Sequence, residues 1–122
     1  MRSSALPFAG VLLTAAMILQ TPAGAEDAPA LLGYGVKSCD DFMDVWKERE
    51  GGVDRGIAEY RRYEDWLAGF VSGLNLSTGQ DVLRGAEIAG ALRRIQVHCE
   101  HNRGDDFFTA AMDLVKMLSQ LR

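Results

Sequence analysis

The two cysteines of this 122-residue chain, Cys39 and Cys99, constrain its fold more than any other feature. Each lies on a series of apolar residues with helical spacing, so each is predicted on the buried face of a helix. Two cysteines allow a single intramolecular pair, which would close a loop of about sixty residues. In the chain-entropy model, closing such a loop stabilises a fold by roughly 4 kcal/mol. We predict a Cys39–Cys99 disulfide between two helices, with free thiols or an intermolecular bridge as the alternatives.

Residues 1–25 have the pattern of a secretory signal peptide. Arg2 supplies the positive start, residues 5–19 are largely apolar, and residues 23–25 (Ala-Gly-Ala) form a small-x-small cleavage site. We therefore predict cleavage after Ala25 and export to a compartment where disulfides persist. The apolar stretch is short for a membrane span and no later segment could serve as one, so the alternative is a retained N-terminal anchor.

The remaining 97 residues (122 less 25) suffice for one small domain. Residues 26–37 contain Pro29, Gly33 and Gly35 without a sustained period and are predicted to be an extended lead-in to a helical domain at 38–122. Without Arg2, twelve basic residues stand against seventeen acidic ones. This balance disfavours a nucleic-acid partner, because phosphate binding needs a basic face. It suits a basic protein partner or a solvated acidic surface.

The predicted fold is all-α, with four helices. The first begins after an N-cap at Ser38 and ends at the glycines at 51–52. After a linker of uncertain form at 53–59, the second helix covers 60–75 and the third 86–101, and Asp81 caps a turn between them. The fourth begins at Asp105 or Asp106 and reaches about 121. The residues expected to face the core are Cys39, Phe42, Met43 and Trp46; Tyr60, Tyr63, Leu67, Phe70, Val71 and Leu74; Ile88, Leu92, Ile95 and Cys99; and Phe108, Ala111, Met112, Val115 and Leu118.

The second helix contains two features that point to close contacts. Gly69 and Gly73 are four residues apart and form a notch, which we expect a neighbouring helix or the Trp46 ring to fill, although a partner could bind there instead. Trp66 lies beside the main apolar face. Because tryptophan is enriched at interfaces, Trp66 is a candidate for a partner or dimer contact. The alternative is that the apolar face of this helix is wide enough for the monomer itself to cover Trp66.

Signals for catalysis, metals or cofactors are weak, and we predict a protein that is not an enzyme and needs neither. Ser72 is displaced from the serine position of a G-x-S-x-G elbow and lies within a predicted helix. His98 and His101 would supply only two metal ligands, because the disulfide claims Cys99. Residues 73–80 lack the ending of a phosphate-binding loop.

The segment 66–75 (WLAGFVSGLN), together with Cys99 and the closing DDFFTAAMDLVKML, resembles the periplasmic immunity proteins of type VI secretion amidase effectors. The resemblance implies an exported helical protein, commonly dimeric, that occludes the active site of a peptidoglycan-cleaving amidase. It implies a scaffold role for Trp66, Leu67, Gly69, Gly73 and Asn75. After the second cysteine the family pattern is like C-R-x-N-P, whereas this chain has CEHNRG at 99–104.

A shorter stretch, SCDDF at 38–42, resembles the segment around the first cysteine of the HdeA-type acid-stress chaperones. That resemblance implies a periplasmic holdase that binds unfolded clients at low pH. Twelve basic residues and two histidines would bring the exported chain to a charge near +14 once its carboxylates are protonated. The hypotheses are thus an immunity-like inhibitor, an acid-activated chaperone and an envelope protein with the same scaffold but no toxin partner.

Overall fold

The structure is a computed structural model that describes residues 3–7, 9–12 and 29–121. It confirms the predicted all-α class. A 3₁₀ turn at Gly33–Val36 precedes the helices α1 (Cys39–Glu50), α2 (Asp54–Thr78), α3 (Ile88–His101) and α4 (Phe107–Ser119). Residues 3–7 and 9–12 are exposed and have no regular structure. The predicted cleavage site at Ala25 and the start of the lead-in at 26–28 lie outside the described residues.

Helix α1 begins and ends where the sequence predicts. The Ser38 hydroxyl accepts a hydrogen bond from the Asp41 amide at 3.1 Å, and both acidic residues of the first turn lie at the positive end of the helix. The helix ends at Gly51, and Gly52 follows with a φ of +73°, a conformation that glycine adopts without strain.

Helix α2 begins at Asp54, so the linker predicted at 53–59 is largely helical. Near its start, α2 approaches α1 closely at Gly56. A Cβ on Gly56 would lie 2.7 Å from the backbone nitrogen of Arg49, so only glycine lets the two helices come this close. Across the same contact, the Arg49 guanidinium lies 4.3 Å from the centre of the Tyr60 ring. These contacts with α1 are tertiary, and a linear pattern does not show them.

The predicted disulfide is present and joins α1 to α3, with the Cα atoms of Cys39 and Cys99 4.8 Å apart. Around it the rings of Phe42, Tyr63 and Phe107 form a cluster with centroids about 5 Å apart. Among the described residues the core contains no charged residue, and its polar groups are the hydroxyls of Tyr60 and Tyr63. Burial raises the pKa of the Tyr63 phenol, and to a smaller extent that of Tyr60.

Helix α4 is rotated by about one residue from the predicted orientation. Its N-cap is Asp106, one of the two predicted starts, and the carboxylate accepts a hydrogen bond from the Thr109 amide at 2.7 Å. This cap places Phe107, not Phe108, against the aromatic cluster. Phe108, Met112 and Val115 are only partly buried, so their prediction as inward residues is wrong. The fully buried residues of α4 are Phe107, Ala110, Ala111, Leu114 and Leu118.

Two backbone hydrogen bonds tie the starts of α1 and α4 together beside the disulfide. The Cys39 amide donates to the Asp105 carbonyl at 2.8 Å, and the Phe107 amide donates to the Lys37 carbonyl at 2.9 Å. Arg103 and Asp40 form an ion pair at 3.1 Å across the same junction. The disulfide and these bonds thus hold three of the four helices at one end of the fold.

Candidate functional site

The Trp66 ring packs against the lead-in and against aromatic side chains of α2 and α4. We call residues 32–37 the strap, since this part of the lead-in lies across the Trp66 ring. The indole nitrogen donates to the Leu32 carbonyl at 3.0 Å, and the ring stacks on Phe70 with centroids 5.1 Å apart. Trp66 is half-buried. Its predicted contact with a partner or a second copy remains a prediction, and the structure gives the ring a definite internal role.

The strap approaches Trp66 closely because Gly35 has no side chain. A Cβ at Gly35 would lie 2.7 Å from the Cη2 atom of the indole ring. Tyr34 anchors the strap on the other side, where its hydroxyl donates to the Glu59 carboxylate at 2.9 Å. The lead-in predicted to be extended therefore contains a 3₁₀ turn packed on α2.

The notch at Gly69 and Gly73 is open. A Cβ at either position would meet no atom within 4 Å, and both glycines are exposed. The prediction that a neighbouring helix or the Trp46 ring fills this notch is therefore wrong. Leu67, by contrast, is 1% exposed and lies in the core. The segment 66–75 thus has one buried face and one open face.

Asn75 fixes the loop that follows α2. Its side-chain oxygen accepts a hydrogen bond from the Val82 amide at 2.8 Å. As predicted, Asp81 holds the next turn, with one carboxylate oxygen accepting from the Leu83 amide at 3.1 Å and the other from the Gly85 amide at 2.7 Å. This turn brings Leu83 into the core with 3% exposure. Asn75 therefore has a structural role within the fold, and the role in a scaffold shared with another family stays a prediction.

The polar residues weighed for chemistry are engaged in local contacts. The Ser72 hydroxyl donates to the Ala68 carbonyl at 2.7 Å. His98 lies between Asp105 at 2.8 Å and Asp113 at 3.3 Å, whereas the His101 ring contacts the Val97 carbonyl at 2.9 Å. The two histidines thus have different partners. Within the part of the chain that the structure describes, no group of three or more His, Cys, Asp or Glu side chains could hold a metal ion.

An open cavity lies between α3 and α4. This α3/α4 groove has a volume of about 830 Å³ and is closed at one end by the turn at 83–86. Its floor is apolar and includes Ala91, Leu114 and Leu118. Apolar side chains also extend into solvent along it, with Val97 53%, Met117 41% and Leu121 55% exposed. Exposed apolar side chains gathered along one concave surface are typical of binding grooves.

Positive charge lines the groove although the whole chain carries a net charge of −4. The lining includes Arg84, Arg93 and Arg94 against one acidic residue, Asp113. The Asp113 carboxylate is shared with His98. Among the described residues, neither Arg93 nor Arg94 has a carboxylate within ion-pair distance.

Arg84 has a structural task in this groove. It adopts a φ of +56° at the turn after α2 and donates from Nε to the Leu118 carbonyl at 3.1 Å. It also donates to the Leu121 carbonyl, so the guanidinium caps the end of α4. Arg93 and Arg94 are therefore the arginines of the lining that remain available to a partner.

The sequence predictions missed this groove, although a signal for it exists. Met117 and Leu121 extend the apolar face of Leu114 and Leu118 at the i, i+3, i+4, i+7 spacing, with Leu121 two residues past the end of α4. An apolar face that is wider than its neighbours cover leaves side chains exposed to a partner. On α3, the corresponding signal is a pair of adjacent arginines, Arg93 and Arg94, that follows the small residues at 90 and 91.

No family model, curated protein or solved structure matches this chain. Among the described residues, no helix is both long enough and apolar enough to cross a membrane.

Proposed function

We propose that this protein is an exported, non-enzymatic protein-binding module that inhibits a peptidoglycan amidase effector, as do the periplasmic immunity proteins it resembles. The observation that carries the binding role is the open α3/α4 groove, which combines exposed apolar side chains with two unpaired arginines in the described structure. A cross-linked helical core gives such a surface a rigid support, which lowers the entropy lost on binding.

The choice of an amidase as partner depends on the resemblance at 66–75. Two members of that segment behave as scaffold residues would, because Leu67 lies in the core and Asn75 fixes the loop before α3. Gly69 and Gly73 leave an open face that a partner could approach closely. These contacts support a shared scaffold, and the partner itself is a matter for experiment.

The direct test is inhibition of an exported amidase encoded next to this gene. We expect the purified protein, cleaved after Ala25 and oxidised, to stop peptidoglycan cleavage at about one equivalent and to co-elute with the enzyme. In cells, the full chain should protect against an amidase delivered to the periplasm. The chain lacking residues 1–25 is the matched control and should not protect, because it remains in the cytoplasm. Unchanged cleavage in a large excess of the protein would contradict the proposal.

A second function, an acid-activated holdase, is favoured by the nature of the peripheral contacts. Tyr34 holds the strap through the Glu59 carboxylate, and carboxylates also join Asp105 to His98 and Asp40 to Arg103. At about pH 2 to 3, where carboxylates are protonated as a class, these contacts weaken while the disulfide remains. The chaperone hypothesis predicts that an apolar-surface dye binds in acid and that aggregation of a test protein is suppressed. Absence of both effects would eliminate it.

A further inference from the structure

We infer that the α3/α4 groove binds an acidic, amphipathic helical segment of a partner protein. This inference rests on the proposed binding function and specifies both the surface and the chemistry of the occupant. Three properties of the groove lead to it: its apolar floor, the absence of free backbone groups along its walls and its positive rim.

The apolar floor sets the first requirement. Leu114 and Leu118 form it, and Val97 and Met117 project beside it with about half of their surface in solvent. Leu114 and Leu118 are already buried, so an occupant gains free energy mainly by covering the exposed side chains of Val97, Met117 and Leu121 with its own apolar side chains. The groove is open, so only one side of the occupant contacts the protein and the opposite side stays in solvent. One apolar stripe on the occupant is therefore sufficient.

The walls decide the backbone conformation of the occupant. Both walls are α-helices, in which the backbone amides and carbonyls are already paired within the helix, and the described residues contain no strand whose edge could accept another strand. A segment bound as an α-helix pairs its own backbone groups and needs none from the walls, so the walls favour a helical occupant. The occupant follows the helix-in-groove mode of recognition.

The rim sets the charge of the occupant. Arg93 and Arg94 have no carboxylate within ion-pair distance among the described residues, while Arg84 is used to cap α4. Two guanidiniums beside an apolar floor favour carboxylates that flank an apolar stripe.

A displayed library of helices tests the inference without knowledge of the partner. Each member has 14 residues, the length of α3, with leucines at i, i+3, i+4 and i+7 and a free choice of glutamate, glutamine or lysine elsewhere. Selection on the oxidised protein, cleaved after Ala25, should enrich glutamate beside the leucine stripe. Enrichment of lysine or glutamine, or no enrichment at all, would overturn the inference.

Charge-reversal variants locate the binding. Arg93→Glu combined with Arg94→Glu should weaken the selected helices about tenfold or more, with a smaller loss at high salt. The matched control, Lys47→Glu combined with Arg61→Glu, changes the net charge equally on exposed positions outside the groove and should have little effect. Equal effects of the two double variants would place the binding elsewhere and overturn the inference.

Exposed apolar residues provide an independent readout. Met117→Ser should weaken binding several-fold, whereas Leu76→Ser, at a residue 87% exposed and outside the groove, should not.

Two further measurements address other occupants of the groove. A dimer that dissociates on reversal of Arg93 and Arg94, or displacement of the selected helices by a peptide of residues 5–19, would assign the groove to this chain itself and overturn the inference.

The amidase assay separates this inference from the proposed function. If the wild type inhibits the amidase and the Arg93→Glu/Arg94→Glu variant inhibits it equally, the groove inference fails and the proposed function stands. If the library behaves as expected but the wild type inhibits no amidase, the proposed function fails and the groove remains a site for acidic helices.

Discussion

At the residue scale, Gly35 and Gly69 have opposite surroundings. Gly35 lies against the Trp66 ring, whereas a Cβ at Gly69 would meet nothing within 4 Å. We predict that Gly35→Ala lowers the free energy of unfolding by about 1–3 kcal/mol through overpacking. Gly69→Ala, in the interior of α2, should raise it by about 0.5–1 kcal/mol. Urea unfolding followed by circular dichroism measures both, and a similar sign for the two variants would contradict this account of the strap.

Asn75 allows a second prediction at this scale. Removing its side chain leaves the Val82 amide without its partner, so Asn75→Ala should cost about 1–2 kcal/mol of stability. Gln80→Ala, in the same loop at an exposed position, is the control and should stay within about 0.5 kcal/mol of the wild type. If Asn75→Ala kept full stability but lost amidase inhibition, Asn75 would be a partner contact and not a scaffold residue.

At the scale of elements, local signals predict some helix ends well. Ser38 and Asp106 are recognisable N-caps because their short polar side chains reach an amide three residues ahead, and both act in this way. The start of α2 lacks such a signal, because its N-cap, Val53, makes no side-chain capping hydrogen bond. Gly56, which disfavours a helix by propensity, is explained only by its close approach to Arg49 on α1. The face of α4 was misassigned since Phe107 and Phe108 are adjacent and both apolar, so periodicity alone does not choose between them.

The disulfide is the element-scale contact with the largest predicted effect. Cys39→Ala combined with Cys99→Ala removes a link across 60 residues and should lower the free energy of unfolding by roughly 4 kcal/mol. Alanine is preferred to serine, because both sites are fully buried and a hydroxyl there would be unpaired. Reduction of the wild type should give a similar loss in urea unfolding. Unchanged stability after either treatment would show that the backbone bonds beside the disulfide suffice.

At the scale of the whole molecule, periodicity predicts which faces are apolar but not which face meets which neighbour. That is why the fold class and the disulfide were predicted, while the groove was missed and the open notch at 69–73 was assigned to internal packing. The apolar residues near the end of α4 illustrate the difference. Met117 and Leu121 are visible in the sequence, but only the relative positions of α3, α4 and the turn at 83–86 show that both remain exposed beside the groove.

The distribution of titratable groups predicts how the whole fold responds to pH. Carboxylates at the periphery of the fold hold the strap and the helix junctions, so protonation of carboxylates weakens these contacts before it affects the apolar core. The groups that titrate inside the core are Tyr60 and Tyr63, whose pKa values burial raises above the usual value of about 10. The folded state therefore holds these protons more tightly than the unfolded state does.

It follows that the tyrosine contribution to stability is complete below about pH 10 and is lost as the pH rises further. Above about pH 10 a tyrosine loses its proton in the unfolded state but keeps it in the fold. Each such tyrosine should make the free energy of unfolding fall by up to about 1.4 kcal/mol for each unit of rise in pH. Urea unfolding between pH 8 and 11.5 measures the slope, and tyrosinate absorbance should rise together with unfolding. Tyr63→Phe removes the more strongly shifted group and should flatten the slope, so an equal slope in this variant would show that Tyr63 does not control the alkaline limit of the fold.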